Sequence, residues 1–200
     1  MFNNNNQVKG LIITSIGVLA IVPDSILIRL IQADILTITF WRALIPGIII
    51  SIAVMVFYRK PALDFIKSPK PSGLIYIVSH SFGTLLFVAA IELTSIASAL
   101  FLLSTSPIFS TIISRIFLNE KITIRMILTI IGALIGIGII TLGSFNTEKV
   151  FAVGDVAALG AAFCLAISLT AARSASNFSM IPAVGVSSLI TPLCILYFIN

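Results

Sequence analysis

The sequence predicts an all-α membrane protein: a multi-pass helical bundle with one complete five-helix repeat and the start of an inverted second repeat. Three observations lead there. Apolar residues make up 58% of the chain, charged residues only 10%, and the mean hydropathy is +1.18. A soluble domain carries about 25% charged residues to solvate its surface, so this surface has to face lipid. The apolar residues fall into seven runs of about 20 residues, the length a helix needs to cross a hydrocarbon core. The beginning of the first run is echoed at the beginning of the sixth.

Taken in order, the spans are 10–30, 35–57, 73–91, 97–118, 122–142, 154–172 and 180–199. Residues 1–9, with the Asn3–Asn6 tract, form a short polar tail. Lys9 before an apolar run resembles a signal peptide, but no small-residue cleavage site follows and six more spans do, so the first run is a retained helix. Charge placement sets the orientation. The second connection carries Arg59, Lys60, Lys67 and Lys70 against Asp64, the fourth Arg115, Lys121 and Arg125 against Glu120, and the sixth Arg173. The opposite connections hold Asp34, then Glu92, then Glu148, Lys149 and Asp155, with Arg29 the other base on that side. The excess of Lys and Arg on alternate loops places the amino terminus and the even-numbered loops in the cytoplasm. The formal charge of +5 is therefore scattered between spans, not clustered on one solvated face as nucleic-acid binding requires. The expected surroundings are a lipid bilayer, and no nucleic-acid partner is expected. Cys164 and Cys194 lie inside apolar runs and read as small hydrophobes.

The connections are short; the longest, between the second and third spans, contains Pro61, Pro69 and Pro71. Short loops make sequential helices antiparallel neighbours. Small residues recur at four-residue spacing: Ser106, Ser110 and Ser114 on the fourth span, Gly132 and Gly136 on the fifth. Such faces let backbones approach where no hydrophobic effect drives helices together. They serve either packing within the chain or contact with a second copy. Pro23, Pro46 and Pro107 are the expected helix kinks.

In the internal echo, Gly10 opens the first span and Arg29 follows 19 positions later; Gly154 opens the sixth and Arg173 follows 19 positions later. A five-helix unit is odd in number, so its repeat runs upside down, the arrangement common in transporters. The complete first unit covers 10–145 and the second begins at about 150, its first two helices occupying 150–200. A complete second copy would run to roughly residue 290. The sequence therefore leads us to expect either a truncated product or fragment, or a protein that has lost half of a duplicated architecture.

The stretch Ile91-Glu92-Leu93-Thr94-Ser95-Ile96-Ala97-Ser98-Ala99-Leu100 is followed by Ser106-Pro107-Ile108-Phe109. Then come Phe117-Leu118-Asn119-Glu120-Lys121-Ile122-Thr123 and a glycine-rich run from Ile131-Gly132-Ala133 through Gly138. Together with Phe40-Trp41-Arg42, these resemble an EamA domain of the drug/metabolite transporter superfamily. The resemblance covers 10–145, with 150–200 as the start of a second domain. It implies ten helices in two inverted repeats around a central cavity, and a permease of small metabolites in a bacterial inner membrane. Such a protein would be secondary-active, would work outward, and would use alternating access. Because the last three helices are absent, function would require the missing residues or a partner chain, either a complementary half or a second copy; the rival expectation is a non-transporting scaffold or partner subunit, or an inactive fragment. The substrate stays unspecified.

Ionisable groups inside lipid cost about 2.5–3.5 kcal/mol each on the insertion scale, so each needs a partner or a water-filled cavity. Asp24, next to Pro23, and Arg42 should both sit roughly 9 Å below the outer boundary, at ~1.5 Å rise per residue. Opposite charges at equal depth form a structural pair, contact a substrate or ion, or do both in turn. His80, the only histidine, sits between Ser79 and Ser81 in the third span. It is either a packed hydrogen-bonding residue or a proton carrier. Trp41 is an interfacial anchor or lines the cavity. Glu120 is expected in a loop or cap contact and Glu92 at a solvated helix end. There is no metal-ligand cluster, no phosphate-cradling glycine loop and no nucleophile–histidine–acid arrangement, so no cofactor, metal or catalytic residue is expected.

Overall fold

The computed structural model describes residues 4–21, 23–59, 65, 70–142, 153–175 and 179–199. The described residues form nine α-helices: α1 (Asn4–Ile21), α2 (Asp24–Leu30), α3 (Ile35–Phe57), α4 (Pro71–Leu93), α5 (Ile96–Leu103), α6 (Ser106–Phe117), α7 (Ile124–Leu142), α8 (Val153–Ser174) and α9 (Ile181–Ile199). The multi-pass helical membrane fold is as the composition requires. By length and apolarity α3, α4, the α5–α6 pair and α8 each suffice to cross a bilayer. Shorter apolar stretches lie in α1, α7 and α9. Lys60, Asp64, Lys67, Pro61, Pro69, Glu148 and Lys149 lie outside the described residues, as does the Arg29 side chain.

The chain divides into two units, 1–32 and 33–200. In the first, the expected single span is two helices. Pro23 has no N–H to give the carbonyl four residues back, and α2 restarts with the Leu27 N–H donating to the Pro23 carbonyl at 2.9 Å.

In the second unit, Asp34 caps α3. The Thr37 hydroxyl and backbone N–H both donate to its carboxylate, holding it below the usual carboxylate range. The fourth span is also two helices, with the interruption falling just before Pro107. That residue sits in the first turn of α6, where a missing N–H costs nothing. Its ring bars the helix from continuing past Leu103, four residues earlier. Pro46 does lie inside a helix, as does Pro192 in α9, which sequence reading missed.

The packing centres on α4 and α8, the most extensive helix pair, with α9 against α3 and α4, and α6 and α5 against α8. Both main pairs are antiparallel. Gly83 abuts Cys164 while Gly154 abuts Leu93 and Thr94; Gly47 abuts Ser188 while Gly185 abuts Ser51. The buried face of α8 is largely alanine, including Ala158, Ala162 and Ala166, so the helices meet nearly backbone to backbone. The Ser106, Ser110 and Ser114 stripe is buried, and Ser110 faces Thr170 of α8 with 3.4 Å between hydroxyl oxygens. Gly132 and Gly136 behave otherwise: both are exposed, with no side chain or backbone within 4 Å of where a Cβ would stand.

Candidate functional site

Three successive residues of a helix point about 100° apart, so the run Ser79-His80-Ser81 on α4 fans towards different neighbours. Ser79 turns to α8, its hydroxyl 2.9 Å from that of Ser168. Ser81 turns to α9 and donates to the Ser187 carbonyl at 2.9 Å. His80 lies between them, its Nδ1 3.2 Å from the Ser187 hydroxyl. One turn below, the Tyr76 ring stacks on the imidazole at 5.4 Å, 13° from parallel. One turn above, the Thr84 hydroxyl donates to the His80 carbonyl. These hydroxyls satisfy themselves on local or neighbouring carbonyls, as polar groups in lipid must.

The same stripe of α4 continues to Phe87, seven residues on. Arg42 of α3 lies over the Phe87 ring, its guanidinium carbon 5.0 Å from the centroid, a cation–π contact in a low-dielectric setting. Tyr76, His80, Phe87 and Arg42 are all half-buried. The structure thus brings Arg42 and His80 onto one polar and aromatic seam between α3, α4 and α9. Trp41, their neighbour in sequence, is 55% exposed and meets Phe40 edge-to-face at 5.4 Å, facing away from the packed helices. Asp24 opens α2 in the other unit, where an acid in the first turn complements the helix dipole.

The seam runs beside a place where two helices lose backbone bonds. Pro46 leaves the Arg42 carbonyl without its donor four residues on, and Pro192 does the same for Ser188. Gly47 allows the Ser188 backbone to approach; a Cβ there would stand 3.0 Å from the Ser188 carbonyl. The Ser187 carbonyl accepts from both Ser81 and Thr191.

Both ends of the bundle hold polar contacts that sequence reading placed wrongly or missed. Asp155 is not a loop charge. It is buried in the first turn of α8 and accepts from the Thr94 hydroxyl at 2.8 Å. The clue was its position directly after Gly154, at a helix start. Glu92 is not a freely solvated end either: its Oε1 is enclosed, with no hydrogen-bond partner among the described residues. At the opposite end Glu120 pairs with Arg173 across the α6–α7 connection and α8. Asn119, at φ 53°, makes the left-handed turn that aims it there. Among the described residues no three His, Cys, Asp or Glu side chains assemble as a metal-ligand group.

A family model described as the EamA-like transporter family matches residues 7–142. No curated protein and no solved structure matches the chain.

Proposed function

Because the chain belongs to the EamA-like transporter family, we propose that it carries the translocation seam of a secondary-active permease. This permease exports a small metabolite across the inner membrane by alternating access. The observation that supports this most directly is the Arg42–Phe87 and His80–Ser187 stripe between α3, α4 and α9. A guanidinium and an imidazole within a bilayer are costly unless a substrate or water path repays them. They stand beside two helices whose backbone bonding is interrupted at Pro46 and Pro192, where bending is least opposed. In this reading α3 and α9 rock against α4 and α8, and the seam opens and closes. The end bearing Glu120 and Arg173 faces the cytoplasm, as does the amino terminus. Asp24, placed by the sequence at the depth of Arg42, belongs to the same proposal. So does the division into a first five-helix repeat at 10–145 and the beginning of a second at 150–200.

The test needs no substrate. In a Cys164→Ser, Cys194→Ser background, Arg42→Cys and His80→Cys are treated with a membrane-impermeant, positively charged thiol reagent in oriented vesicles. A seam that admits water labels both, with a rate that depends on the side of addition. Two unreactive thiols in folded protein would rule the seam out as a path.

A second reading, a non-transporting partner subunit or a homodimer, is favoured by one observation. Helix α7 exposes Gly132 and Gly136 with nothing within 4 Å, the surface a second helix would need.

A further inference from the structure

A neutral imidazole has one nitrogen that donates and one that accepts, and the bond made by one of them fixes the role of the other. In His80 the Nδ1 lies 3.2 Å from the hydroxyl of Ser187, a residue with no exposed surface. That hydroxyl has a single hydrogen, and the Val184 carbonyl takes it at the shorter distance of 2.8 Å. What Ser187 turns towards the ring is therefore a lone pair, and only an N–H can match it. Ser187 is itself held in place, its carbonyl accepting from both Ser81 and Thr191. Tyr76 fixes the plane of the ring, stacked on it 13° from parallel. With one nitrogen anchored and the plane set, the other nitrogen has one direction left. That nitrogen, Nε2, makes no hydrogen bond among the described residues, yet it is not an enclosed orphan as Glu92 Oε1 is. It opens on accessible space.

We propose that Ser187 positions His80 as the Nδ1–H tautomer, so that the bare Nε2 is the hydrogen-bond acceptor the seam presents to a permeant bearing an N–H or O–H. The location of one proton decides this chemistry. Turned the other way, with the hydrogen on Nε2, the same ring would offer a donor and select for an acceptor. Ser187 acts through His80 and is a positioning residue. Without its hydroxyl, an Nδ1–H would be a donor facing α9 with nothing to receive it, which is costly in a packed interior. The proton would then move to Nε2. The tautomer stands on these hydrogen bonds alone, while its presentation to a permeant rests on the seam being a path.

The chain has a single histidine, so nitrogen-15 histidine labelling gives one pair of ring signals. Long-range proton–nitrogen NMR in detergent, at a pH where the ring is neutral, should show Nδ1 protonated and Nε2 bare. Ser187→Ala should reverse that assignment. Diethyl pyrocarbonate, which acylates a bare imidazole nitrogen, should add one carbethoxy group to His80, read by peptide mass. Ser187→Ala should slow the addition by about threefold or more, because the bare nitrogen would then face α9. Should Ser187→Ala fail to fold, the wild-type spectrum decides the tautomer and the wild-type acylation decides the access. An Nε2–H ring in the wild-type chain overturns the proposal, as does an even mixture of tautomers. So does a tautomer that Ser187→Ala leaves in place, or a His80 that stays unmodified in folded protein. Unreactive cysteines at positions 42 and 80 beside an Nδ1–H ring would instead refute the path and keep the tautomer, so the two failures are told apart.

Discussion

Helices α7 and α8 look alike in sequence and occupy opposite situations in the fold. Both are apolar, both carry glycines and other small residues, and they are 19 and 22 residues long. Yet α8 lies at the centre, its alanine face against α4 and its flanks against α5 and α6, whereas α7 packs on α5. At Gly154 an added Cβ would stand 2.7 Å from the Leu93 and Thr94 backbone; at Gly132 it would meet nothing. Small residues permit close approach but do not cause it. What separates the two helices is which neighbours the chain brings alongside, and whether those neighbours offer hydroxyls at the right height.

The comparison is most sharply broken by Gly154→Val against Gly132→Val. The first forces backbone apart and should cost about 3 kcal/mol or abolish the folded protein, since its neighbour is not a flexible side chain. The second should change stability by no more than about 0.5 kcal/mol. Thermal unfolding in detergent reads both, and equal losses would mean that α7 is packed as tightly as α8. Next in size is Thr94→Val, which takes the donor from the buried Asp155. A hydrogen bond to a charged group contributes about 1.5–3 kcal/mol, so a loss in that range is expected, with rescue by Thr94→Ser. If Thr94→Ser fares no better than valine, packing rather than the hydroxyl holds the α8 start.

A smaller effect is expected for the hydroxyl pair joining α4 to α8. A double-mutant cycle on Ser79→Ala and Ser168→Ala should give a coupling near ~0.6 kcal/mol, the average for such bonds in lipid. A coupling of zero would leave the alanine face alone responsible for that interface. Glu120→Gln should be smaller still, below about 0.5 kcal/mol and fading with salt, because both partners of the ion pair are partly exposed. Last comes the Asp34 cap. Its carboxyl is depressed in the folded chain, so the contribution of the cap is complete above the ordinary carboxylate range and declines as pH falls through the folded value. Thr37→Val should move the Asp34 titration upward, which carboxylate NMR would register.

The membrane class and the helix positions were legible because they depend on local properties. Apolar length marks each span, and proline marks the break at Pro23. The break before Pro107 was half-read, since a proline shows that a helix is interrupted but not whether it bends or stops. The polar seam was partly legible too: Arg42 and His80 stand out in any apolar run, because a charge or an imidazole there needs a partner. Their companions did not stand out. Ser168, Ser187 and Thr94 are ordinary hydroxyls until a helix from another part of the chain sets a second polar atom within 3.2 Å of each.

The sequence by itself determined that this chain crosses a membrane as helices, and which family it belongs to, because hydropathy, charge alternation and motif spacing are written along one strand. Only the tertiary structure decided that Gly83, Gly154 and Gly47 are contact points while Gly132 and Gly136 are not. It alone decided that Asp155 is buried and bonded while Glu120 reaches Arg173. In lipid every apolar face is equally content to be exposed, so burial carries no signature in composition. Which faces meet is settled by shape and by hydrogen bonds between residues far apart in the chain.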